Sequence, residues 1–125
     1  MKIKITTYVD EEKLLEESYI GEYFNQKEYE KIEYYDKNNK KIKIFIDKIK
    51  ESVSIEKDDF KIDIAYIVKK SNYKTEMGIV NLAMQLIKIK KKERNNLVFF
   101  EISYNIIFNP DNKQKNTLKI LLKRN

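Results

Sequence analysis

Adjacent carboxylates at Glu11-Glu12, Glu16-Glu17 and Asp58-Asp59, nine tyrosines, and the basic run Lys88-Ile89-Lys90-Lys91-Lys92-Glu93-Arg94 are the groups in this chain that could do chemistry. Paired carboxylates serve acid-base catalysis or calcium binding when they converge. Neighbouring residues on a strand face opposite sides, however, and no segment has calcium-loop spacing, so these pairs read as solvated turn and surface charges. Histidine and cysteine are both absent. That removes Ser-His-Asp and Cys-His nucleophiles, an ordinary zinc site, and any near-neutral general base at its unperturbed pKa. Gly21 and Gly78 stand alone, so there is no glycine-rich phosphate loop. No enzyme, metal or cofactor is expected, and no motif rises above a soluble all-β domain.

What remains points to binding. Tyr66, Tyr73, Thr75 and Tyr104 fall among residues that alternation assigns to an inner face, where each carries a hydroxyl into an apolar surrounding. Buried hydroxyls need partners. They either orient a small apolar ligand, as convergent polar groups do in many cavities, or bond to one another and to backbone in a filled core. The filled core is the plainer reading, because a small barrel can be filled by its own side chains.

Lys88, Lys90, Lys91, Lys92 and Arg94 form the densest basic patch, with Tyr73 or Phe99 near enough in sequence to offer stacking for single-stranded nucleic acid. The plainer reading is a hairpin end whose lysines keep an aromatic strand from pairing with another molecule. The stretch from Tyr29 to Tyr35 with Lys31, Lys37, Lys40 and Lys41 carries the same ambiguity. Net charge is +6 from 26 basic and 20 acidic residues. Only Arg94 and Arg124 are arginines, whereas bidentate reading of phosphate and guanine is mostly arginine work. Abundant Lys, Asn, Ile, Glu and Tyr beside scarce Gly, Pro and Arg fits an AT-rich coding sequence, which accounts for much of the basicity.

The elements that must position these groups are strands. From Val98 to Phe108 every even position is large and apolar, and the same period of two recurs in Phe60, Ile62, Ile64, Tyr66 and Val68, in Ile42, Ile44 and Ile46, and in Leu118, Ile120 and Leu122. Ile3, Ile5, Thr7 and Val9 make a first strand. Residues 11 to 24 are contested, since Glu-Glu-Lys-Leu-Leu-Glu-Glu favours helix while Gly21 and the aromatics favour strand. Two strands, 14 to 24 and 28 to 36, are preferred. Further strands are predicted at 41 to 47, 51 to 57, 60 to 69, 73 to 90, 97 to 108 and 116 to 123, with turns at Asp36 to Asn39, Asp58-Asp59, Arg94 to Asn96 and Asn109 to Asn112. In strand 73 to 90 the apolar parity switches beside Gly78 and again at Leu86 to Ile87, which predicts a bulge or corner at each place. Nine strand runs with no helix between them predict one all-β domain over residues 1 to 125, an antiparallel barrel of eight to ten strands, closed or nearly closed.

The run Tyr73-Lys74-Thr75-Glu76-Met77-Gly78-Ile79-Val80-Asn81-Leu82, a later strand with Tyr104, and Asn116-Thr117-Leu118-Lys119-Ile120 together resemble the YwiB-like family of small bacterial proteins. Met77 stands where that family usually has an aromatic. The early Tyr-rich hairpin around Tyr23, Tyr34 and Tyr35 extends the resemblance along the chain. It implies a calycin-type, lipocalin-like β-barrel with no established activity.

Two functions stay open: a barrel holding a small apolar ligand, and a basic adaptor binding RNA or an acidic protein through the patch from Lys88 to Arg94. No apolar stretch of signal-peptide length opens the chain and nowhere do eighteen apolar residues run together, so a cytoplasmic protein without membrane contact is expected. Leu97, Phe99, Ile107, Ile67 and Leu121 leave apolar side chains on the outer face. The segment from 11 to 36 is expected to fold over them, leaving a monomer or a weak homodimer.

Overall fold

A computed structural model of the chain describes residues 1–58, 60–75 and 78–124, with the side chains of 72–75 and 79–80 excepted. Its strands are β1 (Lys2–Val9), β2 (Glu12–Asn25), β3 (Tyr29–Tyr35), β4 (Lys41–Asp47), β5 (Ser52–Lys57), β6 (Phe60–Ile64), β7 (Lys69–Thr75), β8 (Gly78–Arg94), β9 (Leu97–Asn109) and β10 (Asn112–Lys123). All pair antiparallel in one ten-stranded sheet of order β6-β5-β4-β3-β2-β1-β10-β9-β8-β7. Among the described residues there is no helix, and the contested stretch after Asp10 is strand.

The turns follow the predicted chemistry. Asp36 Oδ1 accepts hydrogen bonds from the Asn38 and Lys40 amides at 2.9 Å each, and Asn39 takes the left-handed conformation with φ +61°. Asn95 does the same at φ +53° between β8 and β9.

Three departures from the expected strands have local causes. The predicted strand 73 to 90 is two strands, with Thr75 opposite Gly78, so the parity switch there marks a reversal of chain direction and not a bulge. Gly78 supplies φ +120°, a conformation open to glycine. The run 60 to 69 stops at Ile64, and residues 65 to 68 form a bend. Phe108 was expected to point inward, but the register between β9 and β10 skips it, Asn112 facing Asn109 and Lys113 facing Ile107. Left over as the extra residue of a bulge, its ring is 56% exposed. The second predicted switch is present: β8 passes from Leu86 opposite Tyr104 to Lys88 opposite Ser103, leaving Ile87 unpaired.

The sheet curls until its two end strands meet. Past the end of β7, the Leu86 amide donates to the Ala65 carbonyl at 2.7 Å, and the Asp63 amide of β6 donates to Ser71 Oγ of β7 at 3.3 Å. No ladder joins β6 to β7 among the described residues, so hydrogen bonds do not close the sheet. The concave face carries the core: Ile3 and Ile5, Ile32, Ile42, Ile44 and Ile46, Val53, Ile64, Met84 and Leu86, Val98, Phe100 and Ile102, Ile120 and Leu122 are all buried. The segment from 11 to 36 lies within the sheet as β2 and β3 and does not cover the outer face. Leu14 and Leu15 remain 68% and 50% exposed.

β2 belongs to both walls. Its first half pairs with β1 up to Ile20, and from Gly21 onward it pairs with β3. A Cβ at Gly21 would collide with the backbone oxygen of Glu33 and lie 2.6 Å from Ile3 Cδ1 and 2.9 Å from Tyr34 Cβ. Only a residue without a side chain lets the two walls approach this closely. Gly21→Ala is therefore expected to cost about 3 kcal/mol or more in urea unfolding, since the obstructing atom is backbone and cannot rotate aside.

Candidate functional site

One end of the concave face is open. Tyr34 of β3, Ile42 of β4, Ile55 and Lys57 of β5 and Phe60 and Ile62 of β6 face Leu82, Met84, Tyr104 and Ile106 of β8 and β9 across a pocket of about 490 Å³. Its walls therefore come from both halves of the sheet. Among the described residues its polar groups are the Tyr34 and Tyr104 hydroxyls and the Lys57 ammonium, which pairs with Asp36 at 3.0 Å. Tyr34 stacks on Tyr19 with ring centroids 4.5 Å apart. Burial, and after it the neighbouring Tyr19, Glu17 and Asp36, hold the Tyr34 phenol well above its ordinary range. Tyr19 is pushed up to about 12 by burial and by its hydrogen bond to Glu17. Both phenols stay protonated at neutral pH, as hydrogen-bond donors and acceptors and not as bases.

The other end is clasped by charge. Glu30, only 3% exposed, sits at the start of β3 on the inner face. Its Oε1 accepts hydrogen bonds from the Tyr23 hydroxyl and the Lys91 ammonium. Four strands separate β3 from β8 in the sheet, so the pair spans the interior. Lys91 lies 5.7 Å from the centroid of the buried Phe100 ring, against which Tyr23 packs edge-on at 6.3 Å. Burial pulls the Lys91 pKa down, but hydrogen bonds to Glu30 and Glu93 outweigh it and the group ends above its ordinary range. Tyr23 is pushed up to about 12 by burial and by its bond to Glu30.

Sequence reasoning placed only part of this. Tyr104 lines the pocket. Tyr66 does not, because its strand ends two residues earlier; it lies in the bend, 43% exposed, where its backbone carbonyl accepts a hydrogen bond from Gln85 Nε2 at 2.9 Å. The side chains of Tyr73 and Thr75 lie outside the described residues. The patch from Lys88 to Arg94 is divided by strand alternation, whose parity is set by the extra residue at Ile87 just before it. Lys91 turns inward opposite Phe100, Lys88 pairs with Glu101 at 3.9 Å, and Lys90, Lys92 and Arg94 stay exposed on the outer face. Tyr34, Lys57, Tyr23 and Glu30 were missed. The signal for Glu30 was present, since it shares parity with Ile32 and Tyr34 and so puts a carboxylate on an apolar face.

The fold and this pocket define a class: an all-β protein of ten antiparallel strands with an apolar pocket between the two halves of a curled sheet. Among solved structures, the crystal structure of the ywiB protein from Bacillus subtilis is similar, with a TM-score of 0.65 over 98% of this chain and 89% of that one at 14% sequence identity. At that identity the likeness speaks for the fold alone. No family model matches the sequence. No curated protein matches it either. No helix among the described residues is long and apolar enough to cross a membrane.

The clasp predicts unequal costs. Lys91→Met leaves the buried carboxylate without its cation and is expected to cost about 3 kcal/mol, whereas Glu30→Gln leaves Lys91 free to turn to Glu93 and water and costs nearer ~1 kcal/mol, both read by urea unfolding. The Tyr23 phenol has a folded pKa above its unfolded value of about 10. Its contribution is thus complete below that pH and lost as pH rises toward about 12, so the unfolding midpoint is expected to fall across that window. Glu30→Gln should narrow the fall.

Proposed function

We propose that the protein is a non-enzymatic ligand carrier of the cytoplasm, a calycin-like barrel closed in space by packing, that holds a small, mostly apolar molecule at the Tyr34 and Tyr104 end. The observation that carries this reading is the pocket itself: its volume of about 490 Å³ is walled by Ile42, Ile55, Phe60, Ile62, Leu82, Met84 and Ile106 and punctuated by two phenols and one ammonium. Small-molecule sites are commonly about 300 to 1,000 Å³ and apolar, with a few polar groups that fix orientation. The apolar walls supply affinity by excluding water. The Tyr104 and Tyr34 hydroxyls select a ligand bearing a carbonyl or hydroxyl, and the Lys57 ammonium, partly neutralised by Asp36, admits a weak anion at the mouth. Without His or Cys the lining holds no ordinary nucleophile-base pair, which agrees with binding and not turnover.

N-phenylnaphthylamine, whose fluorescence rises in apolar surroundings, tests this. Saturable enhancement is expected that is insensitive to salt, and Ile62→Trp, which fills the pocket, should weaken it about tenfold, or more than 1 kcal/mol. An absence of saturation, or equal binding by Ile62→Trp with the fold intact by circular dichroism, would reject the reading.

A further inference from the structure

The positive charge of this chain is gathered on one wall. Register carries rows of outward side chains across β8, β9, β10, β1 and β2. The row nearest the clasped end reads Arg94, Leu97, Lys123, Lys2, Ile20. The next reads Lys92, Phe99, Leu121, Lys4, Ser18, and a third reads Lys90, Glu101, Lys119, Thr6, Glu16. These rows hold seven cations against two carboxylates, and the first two rows hold no carboxylate at all. The opposite wall differs. Two of the outward rows there read Glu22, Glu33, Lys43, Glu56, Lys61 and Phe24, Lys31, Phe45, Ser54, Asp63, with three cations against four carboxylates between them. Codon bias would enrich lysine on both walls alike, so a one-sided field needs another cause.

Within the positive wall lies an apolar stripe. Ile20 is 72% exposed, Leu97 is 36% exposed, and Phe99 and Leu121 are half-buried between them. Lys2, Lys4, Ser18, Ile20, Leu121 and Lys123 line an open groove of about 520 Å³ across β10, β1 and β2. Lys2 and Lys123 stand directly opposite one another on neighbouring strands, an arrangement that destabilises a sheet by itself.

We propose that this groove and stripe are the docking surface for an acidic polypeptide segment of another protein in which apolar residues alternate with carboxylates. Such a segment sets its apolar side chains on Ile20, Leu97, Phe99 and Leu121, and its carboxylates between the lysines, relieving the repulsion of Lys2 and Lys123. Nucleic acid fits less well. Bases stack on aromatic rings, and the first two rows offer only Phe99, while the Tyr8 ring nearby is already covered by the Lys119 ammonium at 4.7 Å. A second copy of the chain meets like charge, since a symmetric contact places lysine against lysine. The surface is separate from the interior pocket and does not depend on the ligand reading.

Fluorescence anisotropy with three labelled probes decides it: a peptide alternating Glu with Leu, the same peptide with Ser for Leu, and an oligouridylate. The Glu-Leu peptide is expected to bind about tenfold more tightly than the Glu-Ser peptide, because the stripe contributes apolar burial. Ile20→Ser should remove most of that difference. Lys2→Glu should abolish peptide binding and at the same time raise the urea midpoint, since it turns a like-charge pair into an opposite one. Tighter binding of oligouridylate than of the Glu-Leu peptide would reassign the wall to nucleic acid and overturn the proposal. Equal binding of the two peptides, no binding of any probe, or a dimer in sedimentation that Ile20→Ser dissolves would each overturn it as well.

Discussion

Glu30 is almost wholly buried, and its carboxylate is matched from the far wall of the sheet by Lys91, with the Tyr23 hydroxyl on a second lone pair. An unpaired buried charge costs several kcal/mol after relaxation. Apolar contacts between two walls tolerate sliding, because one aliphatic surface serves nearly as well as another. A charged hydrogen bond across the gap does not. The pair therefore fixes how the β3 wall sits against the β8 wall, and the packing of Val98, Phe100 and Ile46 behind it inherits that alignment. It depends in turn on one extra residue: without the bulge at Ile87, the inward position opposite Phe100 would not fall to Lys91.

The same geometry separates the two ends of the interior. Where Glu30, Tyr23, Lys91 and Phe100 meet, the space is filled and polar atoms are satisfied within the chain. At the Tyr34 end, Ile42, Ile55 and Ile62 on one half of the sheet and Leu82, Met84 and Ile106 on the other line the pocket between them. Gly21 sits between the two regimes, where β2 passes from one wall to the other. Its missing side chain leaves room for the Glu33 carbonyl and the Ile3 side chain to approach at that level.

Strand content was legible in the sequence because alternation is a property of one strand and needs no partner. β4, β9 and β10 stand where the parity of Ile42 to Ile46, Val98 to Ile106 and Leu118 to Leu122 put them. Bulges and reversals were harder, since both appear as a change of parity. The switch at Ile87 proved to be an extra residue, while the one at Gly78 marks the start of a new strand. Phe108 kept perfect alternation and was still misplaced, because its bulge is set by the partner strand β10. The pocket was half legible: Tyr104 follows from its own strand, but Tyr34 and Lys57 become its neighbours only when the sheet curls. Tyr66 failed for the opposite reason, its pattern running on past the point where the strand stops.

The ladder between β1 and β10 joins Lys2 to Lys123 in the middle of the sheet, while every other ladder links strands that follow one another in the chain. Local hairpins form as soon as their second strand exists; this one waits until β10 has been made, so closing it carries the largest entropic cost and comes late. Throughout synthesis β1 therefore presents a free edge, a template on which another nascent chain could add a strand. Lys2 and Lys4 stand along that edge, where their mutual repulsion with an incoming copy of the same segment holds it open for its proper neighbour.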